Sequence, residues 1–424
     1  MLRYAPSLTQ DLDINSLKIA LINYMVSINK NEDLIIRIED SNIKDDSEQN
    51  IKKIIGILNL FSINYKHIVQ QSSHIKYHSQ FAMQLLIEKK AFNCFCSDEI
   101  LQKEKDEAIK NNKKYNYTGF CQNLSDAVTF ECEAPFTVRI KKPKDNIKFN
   151  DILSKEFKYT PEDIDSFIIL NHDKTPTYNF ACAIDDMLSD ISTVIRDKKY
   201  QEETPRQIHV RNSIGYDKQL EYIHLDKIED GNITIDFLIN EGYLPIAITN
   251  YILQLSLDLP NDIEIFTLED ALKWFDISKI SKDIAKFDID KLKSINKAYI
   301  KDIDDLRLSK ILGYSDSDIG SLAKLYLEEC DTISQLKAKI DAIFKDQKQS
   351  SSNTDEFEKV IFCIKDAPFI QDFDKFTSYI SKNTNIKEDA LLKYFYIAFT
   401  NETSGPDLNK IYPLIRNYLG EIIK

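Results

Sequence analysis

Along the first forty residues the apolar positions change period twice. Leu2 to Ala5 form a short apolar run, and Pro6 with Ser7 turns the chain out of it. From Asn15 or Ser16, either a good N-cap, the residues Leu17, Ala20, Leu21, Tyr24, Met25 and Ile28 recur at helical spacing. After Asn29 to Asp33, the run Leu34-Ile-Ile-Arg-Ile38 has the continuous apolar character of a strand covered on both faces. It ends in Glu39 and Asp40. The pattern predicts a β-α-β unit with charged residues at the carboxyl ends of its strands, the edge where open parallel sheets hold ligands.

Further along, helical periodicity covers Glu48 to Phe61, Ser73 to Lys90 and Asp98 to Lys113, with a short strand expected over Tyr65 to Val69. Phe136 to Ile140 and Ile147 to Ile152 read as two strands paired with each other. Ser166 to Leu170 and Glu221 to Leu225 read as further strands, and Thr204 to Ser213 as a helix. From Ala247 onward strand signals fade and helical segments continue, among them Phe357 to Ile364 and Lys387 to Phe399. A polar stretch over 345–354 has no apolar periodicity and is expected to be a linker. No internal repeat is visible.

Composition narrows the function. The chain has 424 residues, room for two to four domains, and a net charge of −13. That balance argues against a protein that coats nucleic acid or DNA non-specifically, while leaving room for a local basic groove. Seven cysteines and no leader-like start point to a reducing, cytoplasmic setting, and no apolar run is long enough for a membrane span. Glycine is scarce, 9 in 424, about a third of ordinary usage. Phosphate-binding backbones usually need glycine, so the scarcity bears on any nucleotide site.

Several separated motifs carry a resemblance. They are Leu2-Arg-Tyr-Ala-Pro-Ser7, Arg37-Ile-Glu-Asp40, Thr175-Pro-Thr-Tyr-Asn-Phe-Ala181, Ile184-Asp-Asp186, Val194-Ile-Arg196, Thr204-Pro205, Glu241-Gly-Tyr-Leu-Pro245 and Phe275-Asp-Ile277. In this order they resemble the catalytic region of bacterial glutamyl-tRNA synthetases, over roughly the first 300 residues. The resemblance implies a class I synthetase that activates glutamate with ATP and Mg and transfers it to tRNA. It also implies a glutamate pocket: Arg3 for a substrate carboxylate, Glu39 for the ammonium, Arg196 for the distal carboxylate, with Ser7 and Tyr178 beside them. The alternative for each is structural, with Glu39 pairing Arg37 or Arg3 and Tyr178 in the core.

The family's nucleotide elements are altered. Its His-Ile-Gly-His-type signature reads Asp13-Ile14-Asn15-Ser16, preceded by Gln10 where the family has glycine. Asp13 puts negative charge where a triphosphate would lie; at ~4 Å and an effective dielectric of ~20 the repulsion is about 4 kcal/mol. Asn15 adds a side chain where glycine leaves room. After Tyr222-Ile-His-Leu225 the family's mobile lysine loop is shortened, with no Lys or Arg between Gly231 and Glu241 and only Lys227 near. A third element, Gly-Glu-Asp-His in the family, reads Asp197-Lys-Lys-Tyr200. Cys94, Cys96 and Cys121 match the spacing of a structural zinc in some members. The fourth position falls near Asn123, a poor ligand, and Tyr117 is a weak candidate, so reduced thiols are the expected reading.

The expected architecture is α/β then all-α: a class I synthetase Rossmann-type domain over 1–225 with an insertion at about 72–165, a stem-contact-like region over 226–301, and a helical anticodon-binding-like domain over 302–424. The leading expectation is a monomeric synthetase-like protein that keeps glutamate or tRNA binding but activates glutamate weakly or not at all. Arg307, Lys310, Lys324 and Arg416 are candidate tRNA contacts. The rivals are a working glutamate–tRNA ligase with unusual ATP contacts, a glutamyl transfer enzyme acting on a modified tRNA base, and a module that tethers tRNA or a synthetase partner without any small ligand.

Overall fold

The structure, a computed structural model, describes all residues except 9–10, 42–46, 113, 261–262, 346–354 and 424. Gln10, the end of the predicted helix Asp98–Lys113 and nearly all of the predicted linker lie outside the described residues. Those described fall into two compact units. One comprises Met1–Ile235, Leu253–Asp262 and Glu269–Phe287, the other Asp236–Ile252, Ile263–Leu268 and Asp288–Lys424. Among the described residues no helix is long and apolar enough to cross a membrane.

The first unit is built on a five-stranded parallel sheet. Its strands are β1 (Leu2–Tyr4), β2 (Leu34–Ile38) and β3 (Ile68–Gln70), and later in the chain β9 (Thr193–Asp197) and β10 (Glu221–Leu225), in spatial order β10-β9-β1-β2-β3. Leu2 sits opposite both Leu34 and Thr193, so β1 is the centre from which the chain winds outward both ways. That reversal is the switch point of a doubly wound sheet, where a crevice opens beyond the strand ends. β2 is buried at every position, which explains its unbroken apolar run.

Helix α1 (Ile14–Asn29) returns the chain from β1 to β2. Asn15 and Ser16 are not its caps: Asp13 is, its carboxylate accepting from the Ser16 backbone N–H. Aspartate is as good a cap as either, and its position two residues before Asn15 takes Ile14 into the helix.

Between β3 and β9 lie two smaller sheets. β4 (Ala91–Cys94), β5 (Thr137–Ile140) and β8 (Ile168–Leu170) form one, in the order β4-β5-β8, and β6 (Ile147–Asn150) and β7 (Glu156–Tyr159) form the other. The expected pairing of Phe136–Ile140 with Ile147–Ile152 is therefore wrong: each finds another antiparallel partner. The reason is burial. β5 is covered at all four positions between two neighbours, whereas β6 alternates buried and exposed as a two-stranded ribbon does. The expected strand Tyr65–Val69 shifts to Ile68–Gln70, and the helix from Ser73 begins at Ile75 after a 3₁₀ turn, Gln71–His74.

The second unit is helical, its core built from residues such as Leu308, Leu322, Phe376, Phe395, Phe399 and Tyr412. Gly320, in the helix Ser317–Leu325, allows close approach to the helix Asp305–Leu312: a Cβ there would lie 1.9 Å from the Asp305 carbonyl oxygen. Gly56, in the exposed face of the helix Ser47–Leu60, has nothing within 4 Å of such an atom. Alanine gains up to ~1 kcal/mol of helix propensity at either site, but at 320 the backbone collision costs more, about 1–3 kcal/mol. Gly320→Ala should thus lower the melting temperature and Gly56→Ala leave it unchanged or raise it, as circular dichroism will show.

Candidate functional site

The carboxyl ends of β1, β2, β9 and β10 gather a set of buried charges. Asp186, in the helix Tyr178–Leu188, is 1% exposed and accepts from Arg3 Nε at 3.1 Å and from Arg37 Nη1. Burial pushes its carboxyl up, but Arg3, Arg37 and Arg211 more than offset this and hold it below the usual range. Arg3 also donates to the Ile195 carbonyl, fastening β1 to β9. Glu39, just past β2, accepts from Arg37 Nη2 at 2.9 Å and from the Cys182 thiol at 3.3 Å. The structural pairing of Glu39 with Arg37 is thus present, with part of the carboxylate still reaching solvent.

Arg196, at the end of β9, is 6% exposed and differs from its neighbours. It donates to Thr204 Oγ1 at 2.6 Å, Gln207 Oε1 at 3.1 Å and His224 Nε2 at 3.4 Å, all neutral acceptors. Among the described residues no carboxylate forms an ion pair with it. A buried cation without an anion is costly unless a ligand supplies one. Tyr178 keeps part of its ring exposed and lies 5.8 Å from the Tyr200 ring, while Ser7 is exposed in the turn after β1. Arg3, Glu39 and Arg196 thus belong to one edge of one sheet, and Tyr178, at the start of the helix Tyr178–Leu188, lies where the charges of Glu39 and Arg196 reach it.

Two histidines in this region escaped the sequence reading. His74 Nδ1 and His78 Nε2 both lie 2.9 Å from Asp185 Oδ1, and Gln71 donates to Oδ2 at 2.7 Å. Burial pushes the Asp185 carboxyl up, but the two histidines and Arg37 outweigh it and hold it well below the usual range. The spacing of four on one helical turn was the available signal.

At the amino end of α1, the Asp13 carboxylate accepts from Ser16 N and Oγ, both at 2.7 Å. Ile14 is fully buried. Asn15 is buried and bonded to the loop after β10: its Oδ1 accepts from Ile228 N at 2.8 Å, and its Nδ2 donates to the Ile228 and Gly231 carbonyls at 3.4 Å. The Ile14 and Ile235 amides donate to Ile233 and Leu12, so the same loop is stitched along the helix start. Lys18, one turn on, donates to the Asp226 carbonyl at 2.9 Å, and burial pulls it down to about 8. Lys227 is exposed and pairs with Asp197 at 3.9 Å.

Residues 1–294 match the family described as tRNA synthetases class I (E and Q), catalytic domain. The chain belongs to that family. It is 43% identical to glutamate–tRNA ligase 2 of Sulfurimonas denitrificans and 42% identical to glutamate–tRNA ligase 1 of Campylobacter jejuni serotype O:2, each alignment covering all of both chains. In fold it is similar to a glutamate tRNA ligase from Elizabethkingia meningosepticum solved in complex with its amino acid, with a TM-score of 0.79 at 20% identity over 100% of this chain and 99% of that one. The α/β region followed by helices is the fold shared with that structure.

Three of the seven cysteines cluster where β4 meets the 3₁₀ turn Phe120–Asn123. The Cys94, Cys96 and Cys121 sulfurs all lie within 4.8 Å of one another, with Cys96 and Cys121 3.6 Å apart. The oxygen that faces them is that of Tyr117, 3.5 Å from the Cys94 and Cys96 sulfurs. Burial pushes the Cys94 thiol up, but hydrogen bonds from Tyr117, the Cys96 backbone and Arg139 bring it below its ordinary value. Burial, with the other two sulfurs alongside, pushes Cys96 up to about 12. A tetrahedral zinc with bonds of ~2.3 Å needs sulfurs about 3.8 Å apart, so three thiolates and the Tyr117 oxygen fit one.

In the helical unit the four candidate cations divide. Lys324 is tied to Asp305 at 2.6 Å, and Arg416 donates to the Gln371 carbonyl with its guanidinium over Phe369. Arg307 and Lys310 are exposed on one helix, and among the described residues neither is in an ion pair. Elemental analysis of purified protein should find one zinc per chain, falling to near zero in Cys121→Ser; a metal-free native chain would leave the cluster as packed thiols.

Proposed function

We propose that this chain handles glutamate and tRNA on a synthetase scaffold whose nucleotide corner is closed by its own side chains, so that ATP-dependent activation of glutamate is weak or lost. The observation that carries this is the start of α1. A helix amino terminus attracts anions through its free N–H groups and its dipole. Here the Asp13 carboxylate already accepts from the Ser16 N–H, and Asn15 binds the backbone of the loop at Ile228 and Gly231. A triphosphate would meet negative charge and a stitched loop where transition-state chemistry needs mobile positive charge.

The glutamate half of the reading rests on Arg196, a buried guanidinium whose protein partners are all neutral. A distal carboxylate would supply the missing anion, the forked geometry suiting it bidentately. Arg3 and Glu39 lie along the same edge for the substrate's other charged groups. On this reading residues 302–424 serve as an anticodon-stem contact and 226–301 as a stem contact, with Arg307 and Lys310 the cations open to phosphate.

A second reading, a working glutamate–tRNA ligase, is favoured by identity above 40% across the whole length to proteins named as such. Glutamate-dependent exchange between ATP and pyrophosphate, with tRNA present, separates the two. The first reading expects exchange at background and no saturable ATP binding by calorimetry; turnover, or sub-millimolar ATP affinity, would establish the second.

Two further outcomes test the ligands. Glutamate at millimolar concentration should raise the melting temperature of the native chain and leave Arg196→Ala unmoved, since the lost pair costs about 3–5 kcal/mol. Retention of tRNA in a gel shift should weaken as salt rises, and more gently for Arg307→Ala/Lys310→Ala. No retention at low salt would remove tRNA from the function.

A further inference from the structure

Behind Arg196 stands a line of buried polar groups that contact with glutamate would not by itself require. His224 on β10 is 3% exposed, its Nε2 facing Arg196 Nε at 3.4 Å and Thr204 Oγ1 at 3.0 Å. Its Nδ1 lies 2.7 Å from Asp151 Oδ2. Asp151 is 4% exposed and directly follows β6; it also accepts from the backbone N–H groups of His224 at 2.9 Å and of Leu153 and Ser154 at 3.0 Å. The carboxylate is thus pinned by backbone, and the imidazole is pinned by the carboxylate.

This fixes roles. A hydrogen on Nδ1 is the tautomer the Asp151 contact selects, which leaves Nε2 a bare acceptor. Thr204 donates to that nitrogen and accepts from Arg196 Nη2. A guanidinium has five N–H groups. Three of Arg196's five are spent on Thr204, Gln207 and His224, which leaves two. A carboxylate in contact with Arg196 would hold it as firmly but cancel its charge; Asp151 acts across the width of an imidazole and does not. We propose that Asp151, His224 and Thr204 are positioning residues that present the Arg196 guanidinium, still charged and with two N–H groups free, to the distal carboxylate of an acidic amino acid, and so set its preference over the carboxamide. A carboxamide puts its own NH₂ donor against a group that only donates. The proposal rests on the glutamate reading above.

The arrangement has a pH signature. His224 is faced by Asp151 from the end of β6, Arg196 from β9, Arg3 from β1 and Thr204 from the helix Thr204–Ser213, with the Phe149 and Tyr222 rings alongside. Burial pushes its pKa below the ordinary 6.5; Asp151 opposes this and Arg196 adds to it. The neutral ring therefore persists above pH 6.5. As pH falls through the lowered value, Nε2 gains a proton, stops accepting from Arg196 and adds a like charge beside it.

Calorimetry on the full chain with L-glutamate and L-glutamine tests this. The native chain should bind glutamate more tightly than glutamine, with affinity level near pH 6.5 and declining only as the pH falls through the lowered value of His224. Asp151→Asn and Thr204→Val should lose about ten- to a hundredfold in glutamate affinity with little change for glutamine, and Thr204→Ser should bind as native. In Asp151→Asn the pH decline should shift, since the anion opposing the lowered value is gone. If the native chain binds glutamate but both variants keep its affinity and its preference over glutamine, the positioning role is overturned and the glutamate reading stands. If the native chain binds no glutamate, that reading falls and this one with it. Should Asp151→Asn fail to fold, the contrast between Thr204→Val and Thr204→Ser decides.

Discussion

One carboxylate, that of Asp186, organises the first unit. It is almost fully buried and shared by guanidinium groups from adjacent parallel strands, Arg3 of β1 and Arg37 of β2. Taking three charges out of water is expensive, and the expense is met only while each keeps its partners. The helix Tyr178–Leu188 must therefore dock where Asp186 reaches both strands, and Arg3 in turn must reach the Ile195 carbonyl of β9. A chain segment nearly two hundred residues away in sequence is locked to the central strand by electrostatics as much as by packing. Replacing all three by apolar residues would be a different fold problem; removing any one leaves a buried charge worth several kcal/mol.

The buried charges of this edge are not shared evenly. Asp186 pairs with Arg3 and Arg37, Glu39 with Arg37, and Asp185 is engaged by His74 and His78. Arg196 is left with neutral acceptors, the Asp151 carboxylate standing behind His224 rather than against the guanidinium. At the start of α1 the balance is reversed. There the acceptors and donors of Asp13 and Asn15 are met within the chain, three contacts satisfying the Asn15 amide alone. One crevice thus has a cation awaiting an anion at one side and a self-satisfied corner at the other.

What could be read from the sequence followed from how local each determinant is. Leu34–Ile38 was legible to the residue because a strand covered on both faces is apolar at nearly every position, Arg37 apart. Glu221–Leu225, with an exposed first residue and a buried histidine, was legible from its Tyr-Ile-His-Leu likeness instead. The partners of Phe136–Ile140 were not, because antiparallel pairing leaves no mark in either strand; the short strand Ala91–Cys94 beside it was missed for the same reason. The α1 cap was displaced to Asp13 since Asp13, Asn15 and Ser16, within four positions, are all good caps and only geometry chooses. The charged edge was legible residue by residue through motif likeness. Asp151 was not, being 73 positions from the histidine it fixes, with nothing in either flank to link them. Tyr117 was only a weak candidate in the sequence; its oxygen faces the thiols because β4 and the 3₁₀ turn Phe120–Asn123 bring them together.

Net charge then limits how a partner of either kind can arrive. At −13 the chain as a whole repels a polyanion at long range, and screening confines any attraction to about a Debye length, roughly 8–10 Å. A free amino acid pays little for this, since its own charges nearly cancel and the buried guanidiniums act at contact. An RNA must instead find local surface cations not already spent. Lys324 and Arg416 are spent, on Asp305 and on the Gln371 carbonyl, and what they contribute is the packing of the helices that carry them. Arg307 and Lys310 stand four positions or fewer apart on one exposed helical face, enough for adjacent phosphates but too few to hold a long backbone. Each released counterion contributes about one unit to the salt slope, so docking through this pair alone would be weak and only shallowly dependent on salt.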